Sequence, residues 1–189
     1  MILRRWRGAV RPEAAETPTY DVRLARPGEE EAICAVCRAG FALSSQGLLS
    51  PETIERQSWH YYDPARVARE IATAGTAPGW QGYVVASGPD GLLGAAGGGV
   101  DDQGRGQLYV LYLDPRVRGR GIGTALLDAV TEQQRALGAT EQWVSVTEGN
   151  ELGIPFYRAR GFGVRDRAPY AVHDDGTVEA YSLRMSRSI

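Results

Sequence analysis

Residues 113–127, LDPRVRGRGIGTALL, set Gly119, Gly121 and Gly123 at alternate positions between an apolar run and an amphipathic segment. Bare backbone at that place has a chemical use. Without a β-carbon the chain reaches positive φ angles and approaches a ligand closely, so successive amide N–H groups can point at one anion. The first turn of a helix adds unpaired N–H groups and the positive end of its dipole. Three phosphate-binding patterns are candidates. A Walker loop requires GxxxxGK, and all 21 cationic side chains here are arginine. A dinucleotide fingerprint GxGxxG fails as well, because counting from Gly119 ends on Thr124 and counting from Gly121 ends on Leu126. The pattern Arg/Gln-x-x-Gly-x-Gly/Ala is met by Arg118, Gly121 and Gly123.

Cys34 and Cys37, in CAVC, have no second pair to complete a metal site and do not open a helix after a strand. Their spacing sets both on one face of a helix predicted from PGEEEAICAVCRAGF, as buried reduced thiols. No metal is expected.

The elements that position the glycine loop follow from periodicity and punctuation. YDVRLAR (20–26) alternates as a strand, and RPGEE supplies a turn and an acidic first helical turn, with the helix running to about Ala42. SPETIERQSWHYY and DPARVAREIATAG each begin with a capping residue and a proline at the first helical position, which predicts two more helices before Gly75. GYVVAS and GLLGAAGGGV, joined by GPDG, form a hairpin pattern, and RGQLYVLYLD (105–114) is the next strand. After the glycines, Ile122, Leu126, Ala129, Val130, Gln133 and Leu137 recur at helical steps, and Gly138 suits a left-handed stop. EQWVSVT (141–147) is a strand, a short helix lies around 151–160, and strands near 162–171 and 177–185 flank the turn HDDG. The predicted fold is α/β: a mixed, mostly antiparallel central sheet with one parallel strand pair, flanked by helices.

Residues 1–19 are arginine-rich and lack the apolar core of a signal peptide, so they are taken as a flexible amino-terminal arm before a single domain over 20–189. The net charge of −2, with arginines spread along the chain, predicts no nucleic-acid partner. No run of apolar residues is long enough to span a membrane, and a cytoplasmic location is expected.

LYLDPRVRGRGIGTALL resembles the strand-loop-helix motif of the GNAT superfamily of N-acetyltransferases. Some way further on, NELGIPFYRARGF (150–162) resembles the family's second signature, an Asn, then Phe-Tyr, then Gly-Phe. Both motifs occur in the family's order and spacing. The resemblance covers roughly residues 82–165, with only the layout of elements matching before that.

The resemblance implies an acyl-CoA site, with acetyl-CoA as cosubstrate. Backbone groups of Arg118, Gly119, Arg120, Gly121, Ile122, Gly123 and Thr124 would hold the pyrophosphate. The parallel pair would splay, and the backbone at Leu111, Tyr112 and Leu113 would meet the pantetheine and the thioester. Asn150 matches the residue that bonds the pantetheine, and it can also cap a helix. Phe156 would flank the site. Tyr157 matches the tyrosine that protonates the departing thiolate, and an amide near Leu113 would polarise the carbonyl.

The family's strand carboxylate aligns with Gln107, which cannot accept a proton at neutral pH. Glu148, His173 and Asp114 are alternatives acting through water. Acceptor selection falls to the least informative segments. Trp59, Tyr61 and Tyr62 suit a pocket wall, core packing or a homodimer contact, and Tyr170, His173, Asp174 and Asp175 suit a turn or a pocket. The expected activity is acetyl transfer from acetyl-CoA to a primary amine of a small molecule or peptide by direct attack on the thioester. The alternative is a catalytically decayed acyl-CoA-binding sensor or interaction module.

Overall fold

The computed structural model describes residues 20–189, so the amino-terminal arm expected for residues 1–19 lies outside the described residues. The first strand, β1, covers Asp21–Leu24, and helix α1 (Glu30–Ser45) runs past the expected stop at Ala42. The two capping patterns each start a helix. Ser50 Oγ accepts from the Thr53 amide at 3.3 Å before α2 (Pro51–Tyr61), and Asp63 Oδ1 accepts from the Arg66 amide at 2.9 Å before α3 (Pro64–Ala72). Each bond satisfies one amide that the helix itself leaves free, and proline at the first position loses none.

Strands β2 (Tyr83–Gly88) and β3 (Gly91–Val100) form the predicted hairpin, and β4 (Gly106–Leu113) pairs with β3. Helix α4 (Ile122–Ala136), strand β5 (Glu141–Thr147), short helix α5 (Gly153–Arg158) and strands β6 (Gly163–Val172) and β7 (Val178–Ser188) complete the order. The seven strands make one sheet, β1-β2-β3-β4-β5-β7-β6, antiparallel except between β4 and β5.

The sheet buries a cluster on each face. Ile33, Cys34, Cys37, Val67 and Ile71 from α1 and α3 pack on Val85 and Val110, while Leu126, Leu127 and Val130 of α4 pack on Val84, Ala96 and Met185. Burying each of the larger side chains contributes about 1.5–3 kcal/mol. Both cysteines are free and buried, and burial raises their thiol pKa values, which keeps them protonated.

On α4 the buried face differs from the predicted one at its end. Leu137 is the C-cap residue and 56% exposed, Gln133 is half-buried, and Gln134 is fully buried. The helix ends at Ala136, so Leu137 turns outward. Gln134 enters the core because its amide finds polar partners there, with Gly106 and Gly98 leaving the room. A β-carbon on Gly106 would stand 2.4 Å from Gln134 Oε1.

The parallel ladder is short. It joins Gly106, Gln107 and Leu108 to Gln142, Trp143 and Val144, after which β4 continues to Leu113 and β5 to Thr147 without pairing. The divergence has a local cause. Gly97 pairs with Val110 and Gly98 with Leu108, which leaves Tyr109 as the extra residue of a bulge. A bulge bends its strand and increases the local twist.

Candidate active site

The glycine loop leaves β4 at Leu113. Asp114 accepts the Arg116 amide at 2.9 Å and opens a single 3-10 turn, Pro115–Val117. Gly119 and Gly121 then take φ values of 77° and 78°, in the left-handed region that suits glycine. Gly121 is the N-cap of α4, with no side chain closing the helix start. The first helical bond runs from the Ala125 amide to the Gly121 carbonyl. Among the described residues, the amides of Arg118 through Thr124 have no acceptor. Gly123 serves packing instead: a β-carbon there would meet the Phe156 ring at 3.2 Å.

These residues separate by role. Arg118 and Gly123 line the adjoining cleft, Gly119, Arg120 and Gly121 are exposed, and the Ile122 side chain is buried. Thr124 Oγ1 accepts from Arg160 Nη2, while Arg160 Nη1 donates to the Phe156 carbonyl at 2.9 Å and its guanidinium lies 3.7 Å from the Phe156 ring centre. Arg160, which sequence reasoning missed, therefore ties α5 to the first turn of α4. Its place inside the FYRARGF run was the available signal.

Beyond the short ladder, the β4 amides alternate between the two edges of the strand. The Asp114 amide bonds the Leu93 carbonyl on the β3 side, so Leu113 and Leu111 turn their amides towards the gap facing β5. Tyr112 points its ring to the other face of the sheet, where it meets Tyr62 and Phe41 edge-on at 5.9 and 6.3 Å.

Across the gap, Asn150 Oδ1 accepts the amides of Leu152 and Gly153 at 3.0 and 2.8 Å, which caps α5. Its Nδ2 donates to no described residue, and the side chain lines the cleft. Tyr157 is held between Phe156 and Phe162, with ring centres 5.2 and 5.4 Å away. Burial pushes its phenol above the ordinary range, so the proton stays on the oxygen at neutral pH.

A cleft of about 820 Å³ passes through the gap between β4 and β5, from Arg118, Phe156 and Tyr157 on one face to Tyr62, Tyr83 and Trp80 on the other. It gathers Leu111, Tyr112, Leu113, Arg118, Gly123, Asn150, Phe156 and Tyr157 from the sequence-derived set, and Tyr61, Tyr62 and Tyr170 from the acceptor set. Trp59 is outside it, 55% exposed and stacked on the Arg38 guanidinium.

Neither Gln107, which stands where the family carries a carboxylate, nor the base candidates Glu148, His173 and Asp114 line this cleft. Gln107 donates to Asp101 at 2.8 Å, Glu148 pairs with Arg167, His173 pairs with Glu179, and Asp114 pairs with Arg116. Glu70, absent from the sequence-derived set, does line it. Its helical spacing to Arg66 is that of an ordinary solvent-facing pair, so no local signal marked it. Among the described residues no group of His, Cys, Asp and Glu is arranged to hold a metal ion, and no helix is long and apolar enough to cross a membrane.

The chain is similar to known proteins in sequence and in fold. The model of the acetyltransferase (GNAT) family matches residues 48–162. Mycothiol acetyltransferase of Propionibacterium freudenreichii is 31% identical over 141 residues, 74% of this chain, and that of Thermobispora bispora is 31% identical over 157 residues, 80% of it. The chain spans only 41% and 47% of the length of these relatives. In structure, the PaiA N-acetyltransferase of Thermoplasma acidophilum, solved with coenzyme A, superposes with a TM-score of 0.76 over 90% of this chain and 99% of that one, at 22% identity. A GCN5-related N-acetyltransferase of Rhodopseudomonas palustris gives 0.73 over 94% and 100%, at 20% identity. With this match over more than half its length, and with the glycine loop and splayed strands in place, the chain belongs to the GNAT family of acetyltransferases.

Proposed function

We propose that this protein transfers the acetyl group of acetyl-CoA to a primary amine of a small molecule or peptide by direct attack on the thioester. The observation that carries this reading is the row of unpaired amides from Arg118 to Thr124, at one mouth of a cleft that continues past Tyr157. Such a row fits a diphosphate: several N–H donors in succession have no acceptor and residues 118–124 include no carboxylate. Arg118 and Arg120 add positive charge at the rim. The relatives named mycothiol acetyltransferase favour a small-molecule acceptor.

The chain's own groups divide the work. The Leu111 and Leu113 amides face the gap, where the pantetheine pairs with them as a missing strand would, with one of them donating to the thioester oxygen. Such a preplaced donor can contribute about 3 kcal/mol when negative charge develops there. The amine nitrogen forms a bond to the carbonyl carbon, the C–S bond breaks, and the thiolate takes the proton of the Tyr157 hydroxyl. The amine gives up its own proton to water in the cleft, and water returns a proton to the Tyr157 oxygen, so the phenol is restored. This route suits the absence of Gln107, Glu148, His173 and Asp114 from the cleft walls.

The test is thiol release from acetyl-CoA with a panel of polyamines, amino sugars, amino acids and peptide amines. Turnover on one class supports transfer. Tight CoA binding with no turnover on any amine would instead mark an acyl-CoA-binding module.

A further inference from the structure

We infer that Glu70 selects the acceptor by binding a second cationic group on it, a step that rests on the proposed acetyl transfer. Among the described residues lining the cleft, Glu70 is the one carboxylate. Its position is fixed from three directions. Oε1 accepts from Arg66 Nε at 2.8 Å, Oε2 accepts from the Tyr83 hydroxyl at 2.8 Å, and the backbone carbonyl accepts from Trp80 Nε1 at 2.8 Å. Each carboxylate oxygen has a further lone pair to offer, and the side chain keeps 26% of its exposure.

Arg66 forms an ion pair with Oε1 through Nε and spreads its remaining contacts over two further groups, so it covers one side of one carboxylate oxygen. Nη1 donates to the His60 carbonyl at 3.1 Å, and the guanidinium lies 5.6 Å from the Tyr61 ring centre. The surrounding wall is aromatic: Trp80 packs edge-on against Tyr83 at 5.0 Å and stacks with Tyr109 at 6.5 Å. A carboxylate presented among ring faces suits an ammonium or guanidinium, which gains from both.

Register places this pair away from the reacting atoms. Tyr83 pairs with Gly97 and Gly97 with Val110, so Tyr83 stands two strands from the bulge, about 10 Å at ordinary strand spacing. The gap-facing amides of Leu111 and Leu113 lie beyond that bulge towards the end of β4, and Tyr157 packs in the cluster on the opposite face of the sheet from Tyr83. The Glu70 carboxylate therefore meets a part of the acceptor other than the amine being acetylated. On the far side of the cleft, the Tyr170 hydroxyl donates to Gln57 Oε1 and joins β6 to α2. The acceptor class is a diamine, or an amine carrying a basic side chain.

Three acceptors of similar length test this: cadaverine, n-pentylamine and ε-aminocaproate. Wild type should prefer cadaverine in kcat/KM by roughly tenfold or more, the size expected for a hydrogen bond to a charged group. Glu70→Gln should erase most of that preference through KM, while Tyr83→Phe, which leaves the charge in place, should keep it. Calorimetric titration of cadaverine into the CoA-bound protein gives a readout independent of turnover, with weaker binding to Glu70→Gln expected. A wild type that favours ε-aminocaproate or treats all three alike overturns the inference. So does a Glu70→Gln variant that slows kcat equally on every amine. Cadaverine binding that depends on Glu70, with no turnover on cadaverine or on any amine of the wider panel, would sink the proposed transfer while leaving the cation site standing.

Discussion

Gln134 Oε1 accepts the Nε2–H of Gln142 at 2.8 Å, and both side chains are fully buried. Gln134 Nε2 in turn donates to the carbonyls of Gln107 and Gly99 at 3.0 and 3.2 Å. One side chain of α4 thus joins β3, β4 and β5 at the closed end of the cleft, just before the parallel pair comes apart. Gln134→Leu should cost about 1–3 kcal/mol for each polar group left unpaired. Urea unfolding would register this as a lower midpoint at unchanged slope, and a wild-type midpoint would contradict the account.

Gly121→Glu places a carboxylate among the free amides and forces a side chain into the left-handed region, at about 1–2 kcal/mol. Binding of CoA should fall below calorimetric detection while the circular dichroism spectrum stays folded. Gly138→Ala provides the comparison, since Gly138 also has positive φ, 87°, but lies at the other end of α4. It should lose stability and keep CoA affinity. Equal loss of affinity in both variants would assign the effect to instability rather than to the loop.

Tyr157→Phe removes the proposed proton donor and keeps the ring that packs between Phe156 and Phe162. Turnover should drop by about 10²-fold or more with CoA binding retained. The raised phenol pKa also fixes the pH profile. The hydroxyl stays protonated beyond its ordinary value of about 10, so the wild-type rate should climb as the acceptor amine deprotonates and show no decline from Tyr157 on the mildly alkaline side. An alkaline decline below about pH 9 that vanishes in the variant would contradict the raised pKa, and wild-type turnover in Tyr157→Phe would contradict the proton-donor role.

Glu179 anchors the β6–β7 hairpin to α2 by accepting the Ser50 amide and, at 2.7 Å, the Thr53 hydroxyl. These bonds, with His173 Nε2 at 3.3 Å, hold its carboxyl below the usual carboxylate range. A depressed folded-state pKa means that the stabilisation is present above the unfolded value of about 4.3 and is lost as pH falls through the folded value. Glu179→Gln should therefore lower the melting temperature at neutral pH, with the gap to wild type closing as the solution is acidified below about pH 4. A gap that is constant with pH would assign the loss to packing alone.

Much of the framework was legible in the sequence because its causes are local. Ser50-Pro51 and Asp63-Pro64 mark helix starts through bonds made within three residues, and both helices form there. The alternate glycines of residues 119–123 announce a tight approach because φ is a property of one residue at a time. The strand order was less legible, although the single parallel pair follows from a helix, α4, lying between two strands. The end of α4 is where periodicity falls short, since counting helical steps carries the buried face through Gln133 to Leu137, whereas the helix ends at Ala136 and the buried glutamine is Gln134, which finds polar partners across the sheet.

By itself, then, the sequence determined the glycine loop, its place between strand and helix, the Phe156–Tyr157 signature and the helix caps, all of which depend on short-range backbone chemistry. Tertiary structure alone decided that Gln107 turns to Asp101 and away from the cleft, that Gln134 is a core residue, and that Glu70 meets Tyr83 beside Trp80. Those outcomes depend on which strands pair and in what register. Side chains far apart in the chain share an environment only after that pairing is made, so no local spacing encodes them.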